Sequence, residues 1–333
     1  MLVEAAPTPS TDSCGCGKPR RLCDICYSTE HVFLACSAEC LTRHQHAQHP
    51  EQAGLGSAER ARAFAASINA RFPDSWQRYA PHRHRLMQLV EAAGTAGKLA
   101  VFGAGNASDL ELPWLVERFD EVHLIDLDQQ ALERARARHA VRWPERLFLH
   151  GGVDLSGLLA QLDGWGESFP EPAELGAAAL AAAGQLARQL GEFDVTLSTC
   201  VLSQLGLPFR RAWVTSRTAW AHLSSAIMGA HLATLVATTK RVGILVCDVQ
   251  TTERAPGLDD YRARPCAELA EFVAGQVQRG ALGLNPDPRS LLEWLSAPGL
   301  RGLVTGASVE GPWLWDLGEV RQLVYGLTFR RAA

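Results

Sequence analysis

The 333-residue chain has only 3 methionines and 4 tyrosines, and its positive charge comes almost entirely from arginine. Three larger absences exclude whole classes of function. With a net charge of only −4, there is no overall basic field to draw the chain onto nucleic acid. No apolar run approaches the roughly 20 residues needed to cross a bilayer. The longest, near Leu223 to Val236, is interrupted by Ser224, Ser225 and His231. Met1 to Ser10 has neither a cationic start nor an apolar stretch, so no signal peptide is read there. The expectation is a soluble, cytoplasmic protein, in a compartment where thiols stay reduced and clustered cysteines favour metal over disulfides. Cysteine itself is nearly missing from most of the chain, because six of the nine lie between Cys14 and Cys40.

Those six are ordered Cys14-x-Cys16, Cys23-x-x-Cys26 and Cys36-x-x-x-Cys40, followed by His44, His46 and His49. Thiolate sulfur and imidazole nitrogen at such spacings form the ligand set that Zn²⁺ prefers. Cys23-Asp-Ile-Cys26 reads as a knuckle whose two thiolates face one ion. Cys36 and Cys40 sit one turn apart on a short helix. The stretch between, Thr29 to Leu34, is β-prone and suits a small hairpin, so the layout is treble-clef-like. One ion bound by Cys23, Cys26, Cys36 and Cys40 satisfies the spacing, and so does a larger site using more of the ligands. In either case no position is open for catalysis, which makes the module structural or a docking element.

The segment Phe33-Leu-Ala-Cys36-Ser-Ala-Glu-Cys40-Leu-Thr-Arg-His44 resembles the HIT and MYND zinc-finger families. The resemblance implies two cross-braced zinc ions, with Cys14 and Cys16 joined by Cys36 and Cys40, and Cys23 and Cys26 joined by His44 and His49. The chain departs from the families' pattern in the single residue between Cys14 and Cys16, and in a final histidine for which His46 competes with His49.

Pro50 to Ser57 is polar and glycine-containing, a natural boundary. The expected organisation is a zinc-finger module over 1–50, a linker with lead-in helices over 51–95, and an α/β domain over 96–333. Ala61, Phe64, Ala65, Ile68 and Phe72 recur at helical spacing until Pro73. A second helix is expected from Arg83 to Ala93, and Trp76, Tyr79, His82 and His84 at its start either pack it or roof a pocket.

From Lys98 the pattern alternates strand and helix. Lys98–Phe102 reads as a buried parallel strand and runs into Gly103-Ala-Gly105-Asn-Ala-Ser-Asp109, with a helix from about Leu110 to Arg118. A strand, a Gly-x-Gly turn and a helix let the backbone approach a ligand closely and aim helix N–H groups at it. The next strand, Glu121–Ile125, ends in Asp126, placed to accept both hydroxyls of a ribose. A helix over Gln129 to Ala140 and a third strand, Leu147–Leu149, lead into Asp154 and Leu155. A fourth strand, Phe193–Leu197, is followed by Ser198-Thr199-Cys200, and a long helix runs from about Ala219 to Ala237. A fifth strand, Arg241–Val246, ends in Cys247 and Asp248. Trp313–Trp315 and Val320–Phe329 form a closing hairpin around Asp316 to Glu319. The fold expected is a doubly wound, mostly parallel seven-stranded sheet with a C-terminal antiparallel hairpin.

The run Gly103 to Leu112, with Asp126, Asp154 and the Asp194 strand, resembles the motifs of class I S-adenosylmethionine-dependent methyltransferases, over roughly Ala58 to Arg331. The resemblance implies a Rossmann-like methyltransferase fold and S-adenosylmethionine as cofactor. Gly103, Ala104, Gly105 and Asn106 would border its methionine part. Asp126 and Leu127 would meet the ribose, Asp154 and Leu155 the adenine, and Thr199 the reactive methyl. Many members carry an acid two residues before the first glycine. Val101 stands there, so Asp109 is the candidate partner for the cofactor's amino group. Each acid also has a purely structural use: Asp126 and Asp154 as caps or turn residues, Asp109 near a helix N-terminus.

Methyl transfer needs alignment and a dry pocket more than a base. The string after the fourth strand is Ser198-Thr-Cys-Val, not the Asn-Pro-Pro-Tyr of exocyclic amine methylation, which argues against nucleobases. A small-molecule or peptide acceptor is expected, with His82, His84, Ser203 and Gln204 as residues that face it and no base assigned. The zinc finger would dock substrate or a protein partner. Two other readings stay open: a methyltransferase-like scaffold without catalysis, and an NAD(P)-dependent oxidoreductase. The absence of a Tyr-x-x-x-Lys pair argues against the second. Cys200 and Cys247 read as small core residues.

Overall fold

The computed structural model describes residues 21–22, 34–35, 55–71, 75–139, 142–162, 164–165, 170–206, 209, 217–300, 302–318 and 320–332. All eight expected zinc ligands (Cys14, Cys16, Cys23, Cys26, Cys36, Cys40, His44 and His49) lie outside these residues. From the N-terminal segment only an antiparallel pair is described, β1 (Arg21–Leu22) with β2 (Leu34–Ala35).

The main body opens with two helices, α1 (Ser57–Arg71) and α2 (Ala80–Ala93). The second starts before the expected Arg83 because Pro81 sits in its first turn, where a missing N–H costs nothing. Then follow β3 (Lys98–Phe102), α3 (Leu112–Arg118), β4 (Glu121–Ile125), α4 (Gln129–Arg138), β5 (Leu147–His150), α5 (Pro172–Leu190), β6 (Phe193–Thr199) and α6 (Arg217–Thr238). The chain ends with β7 (Thr239–Thr251), α7 (Cys266–Gln278), α8 (Pro288–Leu295), β8 (Val304–Asp316) and β9 (Arg321–Arg331). The helices α7 and α8 were not foreseen from the sequence.

Seven strands form one sheet in the order β5-β4-β3-β6-β7-β9-β8. The first five run parallel. Strand β9 lies antiparallel between β7 and β8, so the expected C-terminal hairpin closes the sheet. Both faces are covered, and alternation along the strands divides the core. Leu99, Val101, Ile244 and Val246 face Leu86 and Val90 of α2, Leu115 of α3 and Leu132 of α4. Ala100, Phe102, Leu245 and Cys247 face Leu235 of α6, Val273 of α7 and Leu291 of α8. Burial on both sides explains the apolar runs Leu99–Phe102 of β3 and Ile244–Val246 of β7. A third cluster sits above the sheet, where Ala61 of α1 meets Leu159, Leu175 and Ala179 of α5, and Leu223 and Ile227 of α6. It holds α1 across the carboxyl ends of the strands.

Cys200 and Cys247 are buried, as expected of small core residues, and burial raises both thiols well above their ordinary range. No helix among the described residues is long and apolar enough to cross a membrane.

Candidate functional site

The strand order reverses between β3 and β6, and in open α/β sheets ligands bind beyond the carboxyl ends of the strands at such a point. A cavity of about 350 Å³ opens there. All ten residues expected to contact a cofactor border it: Gly103, Ala104, Gly105, Asn106, Asp109, Asp126, Leu127, Asp154, Leu155 and Thr199.

The turn after β3 is built for close approach. Gly103 has φ +76°, and a Cβ there would lie 2.5 Å from Val201 Cβ. Gly105 has φ +47°, and a Cβ would stand 2.9 Å from Asn69 Oδ1. Both positions need a residue without a side chain. Thr199 Oγ1 donates to Gly103 O at 3.0 Å, tying the end of β6 to this turn.

Asp126 accepts from Gly105 N at 2.8 Å through one oxygen and from Asp128 N at 2.8 Å through the other. The Leu127 N–H also acts on this carboxylate, and of its roughly four acceptor positions at least one remains for another donor. Burial pushes its pKa up, and these backbone bonds pull the other way. Capping of α4 falls to Asp128, whose Oδ1 accepts from Ala131 N at 3.1 Å. Asp126 is therefore not used as the cap.

Asp154 is more heavily committed. Its Oδ1 accepts from Ser156 N (2.9 Å) and Ser156 Oγ (2.6 Å), and its Oδ2 from Leu159 N (2.8 Å). The turn-forming use anticipated for it is present, and about one acceptor position is left. Asn106 is committed as well: Nδ2 donates to Asn69 O (2.6 Å) of α1, and Oδ1 accepts from Arg134 Nε (3.2 Å) of α4.

Asp109 stands on the cavity wall with its carboxyl raised to about 7, mainly by burial and also by Asp126. Arg83 lowers it but is occupied elsewhere, donating to Glu111 Oε1 at 2.6 Å and to the carbonyls of Trp76 and Ser108. Val101, at the position where related motifs carry an acid, is fully buried in the core.

The cavity is also lined by Tyr79, Cys200, Gln204, Asp248, Trp315, Leu317 and Gln322. Of the residues expected to face an acceptor, Gln204 lines the cavity and Ser203 donates to Asp248 Oδ1 at 2.7 Å. His82 and His84 do not line it. His82 is buried, accepts from Trp313 Nε1 at 3.0 Å and stacks on Trp315 at 4.3 Å. Its pKa falls to about 3 through burial and the nearby Arg83 charge, so it is neutral. His84 is exposed and pairs with Gln88 at 3.1 Å. The roof is α1, through Ala61, Phe64, Ala65, Ile68 and Asn69. The helical spacing of those apolar residues marked the element, but nothing in it marked the cavity beneath. Among the described residues no group of three or more Cys, His, Asp or Glu is placed to hold a metal ion.

No family model and no curated protein sequence matches the chain. Solved structures do. The O-methyltransferase from Bacillus cereus, in complex with S-adenosylhomocysteine, is 10% identical with a TM-score of 0.38, over 86% of this chain and 95% of that one. The O-methyltransferase TomG from Streptomyces achromogenes, involved in tomaymycin synthesis and in complex with S-adenosylmethionine, is 15% identical with a TM-score of 0.37, over 87% and 98%. Magnesium protoporphyrin IX methyltransferase from Synechocystis, with bound S-adenosylhomocysteine, is 11% identical with a TM-score of 0.37, over 75% and 84%. At these scores the likeness carries no weight in assigning a reaction.

Proposed function

We propose that the chain is an S-adenosylmethionine-dependent methyltransferase whose cofactor lies across the carboxyl ends of β3, β4 and β6. What supports this is the free acceptor capacity of Asp126, held beside the Gly103–Gly105 turn on the wall of a cavity. The residues present fit the group. Asp126 accepts the ribose hydroxyls, and the backbone of the glycine turn lies against the methionine part. Asp109 supplies the negative charge that faces the amino group, since Val101 is sealed in the core. Leu155 and Leu127 provide apolar contact for the adenine, with the last acceptor position of Asp154 beside them. The apolar face of α1 excludes water. When bound, the cofactor supplies a methyl group activated by its sulfonium; the protein contributes alignment and a dry site.

An oxidoreductase reading fits less well. The dinucleotide fold sets six strands in the order 3-2-1-4-5-6 with parallel pairing. Here antiparallel β9 is inserted between β7 and β8. Calorimetric titration with S-adenosylmethionine and with S-adenosylhomocysteine tests the proposal. Absence of binding at millimolar ligand refutes it, and binding without methyl transfer to any extract component leaves a scaffold.

The resemblance to the HIT and MYND zinc-finger families supports the further reading that Cys14, Cys16, Cys23, Cys26, Cys36, Cys40, His44 and His49 hold two zinc ions in a module that docks substrate or a partner. Metal analysis of the purified chain should find two zinc ions. A single ion assigns Cys23, Cys26, Cys36 and Cys40 alone.

A further inference from the structure

We propose that the acceptor is an amine that arrives as a cation, and that Asp248 binds its ammonium group and removes the proton before methylation. This rests on reading the opposite end of the cavity as the cofactor site.

The charge of the lining comes first. Among the described residues four carboxylates border the cavity (Asp109, Asp126, Asp154 and Asp248), and no Lys, Arg or His does. Asp126 and Asp154 have their charge spread over backbone and hydroxyl donors. A phenolate, carboxylate or phosphate acceptor would find no cationic partner among these lining residues. A cation gains from it, and among the nitrogen, oxygen, carbon and sulfur groups that accept methyl, amines are the class that arrives positively charged.

Asp248 is placed for the task by the backbone. Strand β7 alternates its faces through Ile244 and Val246 on one side and Leu245, Cys247 and Val249 on the other. Asp248 therefore continues the Ile244–Val246 face at the point where the core gives way to the cavity. Here the pairing of β7 with β9 slips between Asp248 and Gln250, a β-bulge. Bulges next to sites re-aim a side chain. Ser203 donates to Oδ1 at 2.7 Å and the Asp248 backbone N–H also bonds the carboxylate; among the described residues no other side chain donates to it.

The remaining walls suit an alkylammonium. Tyr79 and Trp315 meet edge to face at 5.0 Å, both on the cavity, and His82 covers the far face of Trp315. Aromatic rings attract a desolvated cation. Burial raises the Asp248 carboxyl to about 6, close to the range where a general base works near neutral pH. In the reaction the proton passes from the ammonium nitrogen to Asp248 Oδ2. The freed lone pair then forms the N–C bond, and the electrons of the broken C–S bond stay on sulfur.

The test uses the full chain saturated with S-adenosylhomocysteine, titrated with 2-phenylethylamine and with 3-phenylpropionate, which match in size and oppose in charge. The amine is expected to bind at least about tenfold more tightly than the acid. Asp248→Asn should erase that preference while affinity for S-adenosylhomocysteine stays within about twofold. Ser203→Ala keeps the charge and should keep the preference, and wild-type selectivity decides should the Asn variant fail to fold. Equal or tighter binding of the acid overturns the proposal. So does an undiminished preference in Asp248→Asn, or no amine binding at about 10 mM. Failure of S-adenosylhomocysteine itself to bind the wild type refutes the cofactor site instead, and this proposal with it.

Discussion

Asp109→Asn should make the ligand-free protein more stable and the cofactor site weaker, in the same molecule. Asp109 lies against the glycine turn, where burial is the largest influence on its carboxyl and raises it from 3.8 to about 7. The nearest cation, Arg83, has its guanidinium stacked 3.5 Å over Trp76 and bonded to Glu111, so it offsets only part of that cost. An acid whose folded pKa exceeds its unfolded pKa binds protons more tightly when folded. Between pH 3.8 and about 7 the folded state therefore holds more protons, and stability falls as pH rises through that window. A shift of about three units corresponds to at most about 4 kcal/mol, lost in full above the folded pKa. Asparagine carries no charge and escapes this loss. Urea unfolding should find the variant and wild type alike near pH 4, with the variant ahead at pH 8 by as much as about 4 kcal/mol. If Asp109 is the proposed partner of the cofactor's ammonium group, the rise in melting temperature on adding S-adenosylmethionine should shrink. A variant less stable than wild type at pH 8, or a difference that does not change with pH, refutes an uncompensated Asp109.

Three other substitutions probe the same frame. Asp126→Ala removes the acceptor of Gly105 N–H and Asp128 N–H and the proposed ribose contact, so calorimetry should show cofactor affinity down about tenfold or more, on the order of 1–3 kcal/mol; unchanged affinity refutes the placement of the ribose. Gly103→Ala drives a Cβ to 2.5 Å from Val201 Cβ at φ +76° and should cost about 1–3 kcal/mol in denaturant melts. Adding Val201→Ala relieves the clash and not the backbone strain, so full recovery would refute the strain. His82→Leu strands the Trp313 indole N–H inside the core and should cost about 1–3 kcal/mol of stability, and an unchanged melting temperature would mean the indole bond contributes nothing.

Strands β3 and β4 match their expected limits, Lys98–Phe102 and Glu121–Ile125: β3 is a short apolar run stopped by Gly103, and β4 alternates Val122 and Leu124 with Glu121 and His123 before Asp126. Strand β8 was legible only at its end, Trp313–Trp315. Its first half, Val304–Glu310, is an exposed edge rich in small and polar residues, so no buried face imposes a period on it. The α8 helix carried a readable cap, since Asp287 accepts from Arg289 N at 2.9 Å ahead of Pro288, yet the sequence reading assigned nothing between the fifth strand and the closing hairpin. Asp126 and Asp154 had the same positional warrant at strand ends. What separates them is the Asp-x-Ser turn, in which Ser156 and Leu159 absorb most of the Asp154 carboxylate.

The two ends of the cavity differ in how they are written into the chain. The residues at the cofactor end, Gly103 to Asp154, fall in one continuous strand–helix–strand stretch, where spacing along the sequence is nearly spacing in the molecule. The acceptor end joins Tyr79 before α2, Asp248 on β7, Trp315 on β8 and Gln322 on β9. These meet only because β9 is inserted between β7 and β8, and no local pattern records that order. Local motifs therefore point to the activated group a fold carries and are silent on what receives it. What does inform on the acceptor is a property of the assembled wall: carboxylates from β7, the ends of β4 and β5 and the glycine turn line it, with no cation among the described lining residues. Each of those acids is tolerable alone. Asp126 raises the cost of charging Asp109, and a positive charge bound beside them lowers that cost. A wall that is unfavourable when empty and relieved by a cation would favour cationic ligands, such as the proposed ammonium of the cofactor and the proposed amine acceptor.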